Sequence, residues 1–173
     1  MKICVFGAAS PDIDKIYIDT TYNVCKDLGL AGHSLVFGSG ARGLMGAAAR
    51  GFKDAGQKVV GIVPSFFKES AIEPLFEGCD EVIYTDTMNE RKELMLEHSD
   101  AILSVPGGIG TYDELFEVIT SKKLGLHSKP IYLLNIDGFY EPLDKLIESG
   151  IEKGFISKET KNLYKLIASA SEI

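Results

Sequence analysis

The chain has 173 residues, 45% apolar and 25% charged, within the range of one ordinary globular domain able to bury a sizeable core. Its formal net charge of −7 argues against nucleic-acid and anionic-membrane partners, so any anion site has to be built locally. Three scattered cysteines, Cys4, Cys25 and Cys79, lack metal-ligand spacing and read as reduced thiols of a cytoplasmic protein.

The chain opens on a strand-like run, residues 2–6, with neither the n-region nor the h-region of a signal peptide. Nowhere is an apolar run long enough to span a membrane. Further short runs rich in β-branched residues follow at 34–37, 58–63, 81–85, 101–105 and 130–134. Between them the apolar residues recur at helical spacing. Ile16, Ile18, Tyr22, Val24 and Leu28 share one side of the first segment, and Leu44, Ala47, Ala48 and Phe52 line the second. Leu94, Met95 and His98 follow on the third, then Leu115, Phe116, Val118 and Ile119 on the fourth. The last third predicts a helix over 139–152, a turn at 154–157, a helical stretch over 157–164 and a short strand at 165–168. Strands alternating with helices call for a parallel sheet with right-handed crossovers and helices on both faces. Nearly continuous apolar strands fit a sheet buried on both sides. With no linker or repeat, the expectation is one α/β doubly wound domain spanning residues 1–173, with ligands bound beyond the carboxyl ends of the strands.

Four strand-to-helix loops carry the chemical signal. The first, Gly7-Ala-Ala-Ser-Pro11, is small enough to admit a ligand. In the second, Gly38-Ser-Gly-Ala-Arg-Gly-Leu-Met-Gly46, the glycines permit either close approach of backbone to a ligand or tight turns and helix packing. The third, Thr87-Met-Asn-Glu-Arg-Lys-Glu-Leu-Met95, starts with the capping-box pattern Thr-x-x-Glu. Arg91 and Lys92 then fall near a helix start, where positive charge opposes the macrodipole. They are either cations serving an anion site or a solvated pair balanced by Glu90, Glu93 and Glu97.

The fourth loop is Pro106-Gly-Gly-Ile-Gly-Thr-Tyr-Asp-Glu114, directly after an apolar strand. Glycines between a strand and a helix let amide N–H groups close on an anion, and the helix N-terminus adds partial positive charge. The loop therefore reads as a phosphate cradle with the carboxylate of Glu114 beside it. Thr111 to Glu114 also fits a capping box, in which Glu114 only reaches back to the Thr111 N–H. If the strands before the third and fourth loops are neighbours, Arg91 and Glu114 face one cleft. No two of His33, His98 and His127 have metal spacing, so neither a metal nor a cofactor is expected.

The segments Met88-Asn-Glu-Arg-Lys-Glu-Leu-Met95 and Pro106-Gly-Gly-Ile-Gly-Thr-Tyr-Asp-Glu114 together resemble the paired signatures of the Lonely Guy (LOG) family, cytokinin riboside 5′-monophosphate phosphoribohydrolases. The resemblance extends through residues 37–46, 118–120, 124–130 and 133–140. It implies a Rossmann-like fold, a homodimer and hydrolysis of the N-glycosidic bond of a purine nucleoside 5′-monophosphate, AMP or an N6-prenylated AMP. It implies that Arg91 and Glu114 are the catalytic pair. Gly107, Gly108, Gly110 and Thr111 would hold the phosphate with Lys92 nearby, and Gly38, Gly43 and Met88 would complete the substrate contacts.

The chain also departs from the family pattern. Its first loop is Phe6-Gly-Ala-Ala-Ser-Pro-Asp12 where plant members usually have Cys-Gly-Ser-Ser-Pro-Gly, and Ser39 takes a place usually held by glycine. Arg42 adds a cation, and Glu73 matches a substrate-contacting glutamate only loosely. The label "possible lysine decarboxylase", long carried by bacterial members, would require a pyridoxal-phosphate lysine in a much larger fold, which nothing here resembles. The alternative function is a non-catalytic nucleotide or molybdenum-cofactor carrier on the same fold.

Overall fold

The strands alternate their side chains between two apolar layers. On β1 (Lys2–Phe6), Ile3 and Val5 join one buried cluster while Cys4 and Phe6 join the other. The structure, a computed structural model, describes residues 1–68 and 74–173. Glu73 therefore lies outside the described residues.

Seven strands form one all-parallel sheet. They are β1, β2 (Ser34–Phe37), β3 (Val59–Pro64), β4 (Glu81–Thr85), β5 (Ala101–Ser104), β6 (Ile131–Leu134) and β7 (Lys165–Ile167). Their spatial order is β4-β3-β2-β1-β5-β6-β7. The order reverses between β1 and β5, which are paired from Ile3 opposite Ala101 to Phe6 opposite Ser104. Loops leaving those two strands run apart, and this opens the crevice that doubly wound sheets use for ligands.

Helices α1 (Lys15–Leu30) and α2 (Gly43–Asp54) cover one face, where Val24, Cys25, Leu28, Leu44 and Phe52 pack on Ile3, Leu35 and Phe37. Helices α3 (Met88–Glu97), α4 (Ile109–Lys123) and α5 (Glu141–Glu152) cover the other, with Met95, Leu115, Val118 and Ile147 on Cys4, Val36 and Ile102. The buried stripe of α1 is Thr21, Val24, Cys25 and Leu28, so Ile16 is off it and half exposed. Tyr22 is turned to α2, where its hydroxyl donates to Asp54 at 2.7 Å.

The last helical stretch is a 3-10 turn over Lys158–Asn162 rather than a helix to 164. Helix α5 starts two residues later than its apolar pattern, because the left-handed Asp137 and Gly138 (φ +49° and +72°) and Pro142 in its first turn fix the entry. Among the described residues, no helix is long and apolar enough to cross a membrane.

Strands β4 and β5 are not neighbours: β3, β2 and β1 lie between them. Arg91 and Glu114 nevertheless meet, because α3 leaves the sheet edge and crosses back over β3 toward β5. Its residue Arg91 reaches the β3 carbonyl of Ile62.

Candidate active site

Arg91 is placed by the start of α3. The Thr87 hydroxyl accepts from the Glu90 N–H at 3.1 Å, as the capping pattern requires. The Glu90 carboxylate closes the turn on the Asp86 N–H at 2.8 Å, one residue before the cap. Arg91 then occupies the first turn with its side chain inward, 9% exposed. A guanidinium so buried needs partners. Its Nε donates to Ile62 O at 3.3 Å and its Nη1 donates to Glu114 Oε1 at 2.8 Å. Gly38 supplies the space: a Cβ there would lie 2.0 Å from Arg91 Nη2.

Glu114 comes from α4, which begins at Ile109 with Gly108 as its cap residue and no side-chain cap bond. Thr111 is thus inside the first turn, and Glu114 is an ion-pair partner of Arg91 rather than the closing residue of a capping box. The first intrahelical bond runs from the Tyr112 N–H to Gly108 O at 3.0 Å. The preceding amides are those that a helix start leaves for an outside acceptor. Glu114 is 11% exposed at its side chain, and burial raises its pKa against the opposing pull of Arg91.

These groups open on a cavity of about 370 Å³ at the β1–β5 switch point. Its walls come from the loop after β1 (Gly7 to Ser10), from Gly38 after β2, and from Val63, Pro64 and Phe67 at the end of β3. Met88, Arg91, Gly108, Gly110, Thr111, Asp113 and Glu114 complete it. The volume suits a small ligand of nucleotide size. A Cβ at Gly108 or Gly110 would meet nothing within 4 Å, so both positions border open space at the helix start.

Three of the expected contacts lie elsewhere. Gly107 lines a separate apolar cavity, and a Cβ on it would strike Thr111 Oγ1 at 2.1 Å. Gly43 has φ +55°, and its amide neighbours Leu44 and Met45 both donate to Ala8 O, at 2.8 and 3.2 Å. The N-terminus of α2 is therefore occupied by the chain's own carbonyl, and Gly43 serves turn geometry, while Gly38 at the start of the same loop borders the cavity. Lys92 points to the far side of Glu114. There it pairs with Asp113 at 3.1 Å and with Glu117, and the Glu117 bond raises its pKa. Its partners sit on α4, not among Glu90, Glu93 and Glu97. Ser10 and Asp113 join the cavity wall from two of the loops singled out in the sequence, whereas Phe67 joins it without a local sequence signal, because its approach depends on how β3 is brought beside β1 and α4.

A family model described as "Possible lysine decarboxylase" matches residues 45–173. The cytokinin riboside 5′-monophosphate phosphoribohydrolase LOG4 of Arabidopsis thaliana is 37% identical over 172 residues, covering 99% of this chain and 79% of that protein. The chain belongs to the LOG family. Another Arabidopsis thaliana member with the same activity in its name, LOG5, is 36% identical over 99% of this chain and 75% of its own length. Solved structures similar to this LOG-family chain include the molybdenum cofactor carrier protein of Chlamydomonas reinhardtii, at 22% identity and a TM-score of 0.72, covering 98% of this chain and 91% of that one. The molybdenum cofactor binding protein of Rippkaea orientalis has 21% identity and a TM-score of 0.70, with coverage of 98% and 89%. At these identities the likeness is one of fold.

Proposed function

We propose that this chain hydrolyses the N-glycosidic bond of a purine nucleoside 5′-monophosphate, AMP or an N6-prenylated AMP, to the free base and ribose 5-phosphate. The observation that carries the reading is the Arg91–Glu114 pair at 2.8 Å, walling the same cavity as the uncapped start of α4. The LOG-family relatives named for this activity support it.

The helix start receives the 5′-phosphate at Gly108, Gly110 and Thr111, where amide N–H groups and the macrodipole favour an anion. That contact positions the ribose. Cleavage builds positive charge on the sugar, and the Glu114 carboxylate stabilises it or activates water. Arg91 fixes the carboxylate's direction through one oxygen and stabilises negative charge on the phosphate or the departing base. Met88 and Gly38 complete the wall. No cofactor has a role in this reaction.

A carrier reading has the fold likeness in its favour. A carrier, however, has no need of a carboxylate and a guanidinium buried together beside the ligand, an arrangement whose desolvation offsets much of its attraction. Residues 1–173 act as one domain in this reading. A second copy covers the outward stripe of α4, where Ile109, Phe116 and Leu124 are 84%, 38% and 69% exposed. The reduced thiols and acidic charge suit the cytoplasm, away from membranes and nucleic acid.

The test incubates the protein with AMP and with N6-prenylated AMP and separates the bases by chromatography. Free base with equimolar ribose 5-phosphate is expected. No base released from any nucleoside monophosphate would overturn the enzymatic reading.

A further inference from the structure

Glu114 is reached from two sides. Its front borders the nucleotide-sized cavity. Its back borders a second cavity of about 220 Å³ between α3 and α4, lined also by Phe6, Lys92, Leu96, Glu117 and Ser121. That space is polar along one wall and large enough for several waters. Lys92 stands on this side, tied to Asp113 and Glu117, so its ammonium props α3 against α4 beside the opening.

The two cavities fill differently during a reaction. A bound nucleotide displaces bulk water from the front and leaves room only for the attacking molecule, so until the base departs the carboxylate has no exchange with bulk solvent on that side. The rear cavity touches none of the front loops after β1, β2 or β3, so a ligand in the front cavity does not fill it.

We propose that water in the cavity between α3 and α4 hydrates Glu114 from behind and carries away the proton it takes up in each turnover, an inference that rests on the hydrolase reading of the site. In the hydrolytic step water adds its oxygen to the anomeric carbon as the bond to the base breaks. The bonding pair leaves on the base nitrogen, and the water's proton passes to Glu114. Solvent returns one proton to the base, and Glu114 releases one to the rear water, so the cycle is neutral in protons. Ser121 and Leu126, which line the rear cavity, only bound this water route and hold no polar role in it.

The groups facing Glu114 are few: Arg91 and Lys92 from α3, Asp113 on its own helix, and Cys4 on β1 beneath it. Glu93 and Glu117 lie farther out along the rear wall. Ser121→Leu fills the rear cavity and leaves the front untouched. Leu126→Trp narrows the same space from a position 74% exposed, where folding is not at stake.

In either variant kcat for AMP should fall about tenfold with KM unchanged, while Ser121→Ala stays at the wild-type rate. Independently of turnover, the Glu114 carboxyl carbon followed by NMR in 13C-glutamate-labelled protein should titrate about one unit higher in the filled variants, since water is lost from behind it. A kcat within twofold of wild type, or an unmoved Glu114 titration, overturns the proposal. If the wild type releases no base from any nucleotide, the hydrolase reading and the proton exit fall with it. The titration then still decides whether water reaches Glu114 from behind.

Discussion

Gly38→Ala is the sharpest perturbation of the Arg91–Glu114 geometry, because it changes neither charge. The added Cβ falls 2.0 Å from Arg91 Nη2 and 3.0 Å from both Arg91 Cζ and Met45 Cε. Ordinary contact lies near ~3.5 Å, so the guanidinium must retreat by about 1.5 Å. Gly38 has no positive φ, so alanine itself is not strained there. The collision is absorbed by the tip of a flexible side chain, and the 2.8 Å bond from Nη1 to Glu114 is what gives way. Misplacing a catalytic group by about 1 Å costs on the order of 10²-fold in rate. That corresponds to about 2.7 kcal/mol of lost transition-state stabilisation. The stability loss should be smaller, about 1 kcal/mol, or roughly 3 °C in Tm. Base release at saturating AMP, paired with thermal unfolding, reads both quantities. A kcat within about threefold of wild type would refute the claim that Arg91 must stay where Gly38 lets it sit. A cooperative collapse of the fold would refute the claim that only the guanidinium moves.

Burial raises the pKa of Glu114, so activity that needs its carboxylate should fade on the acid side at a pH above the ordinary glutamate value of 4.5; a pH–rate profile whose acid limb lies at or below 4.5 speaks against it. The same shift has a signed effect on stability. The folded state holds the proton more tightly, so this stabilising contribution is present below the unfolded pKa and lost as pH rises through the folded one. The unfolding free energy of wild type relative to Glu114→Gln should accordingly fall as pH rises, and denaturant titrations at several pH values would show a flat or rising difference if the reasoning is wrong. Gly110→Ala should leave Tm unchanged or slightly raised, since its Cβ meets nothing within 4 Å, yet raise KM for AMP about tenfold by intruding where the phosphate docks; an unchanged KM places the phosphate elsewhere. Ser39 is buried at φ +65°, a left-handed conformation that glycine adopts without the Cβ penalty, so Ser39→Gly should raise stability by about 1 kcal/mol, near 3 °C in Tm, and a fall in Tm would refute the strain argument.

Much of this architecture was legible because a parallel sheet buried on both faces writes each strand as an apolar run. The strands at 2–6, 34–37 and 81–85 match the structure at both ends. Strand order was not legible, since β4 and β5 carry no mark of the three strands between them. The start of α4 was obscured for a chemical reason. Its cap residue is Gly108, which has no side chain with which to announce itself, while Thr111 to Glu114 displays a capping pattern that the fold does not use. The apolar stripe of α1 misled at Ile16 because its burial begins only at Thr21, where α2 comes alongside.

The site itself turns on two charge doublets, Arg91-Lys92 and Asp113-Glu114. Each doublet straddles a helix face, because successive residues are separated by about 100° around the axis. Only the acidic doublet divides into a buried and an exposed member, Glu114 at 11% and Asp113 at 63%, while Arg91 and Lys92 are both buried at 11% and 14% and differ in the side of Glu114 they face. The cross-pairing follows from this, Arg91 with Glu114 inside and Lys92 with Asp113 outside. The sequence displays both doublets but not the placement of α3 beside α4 that decides which cation meets which anion. The outer pair then holds the two helices at the spacing the inner pair needs.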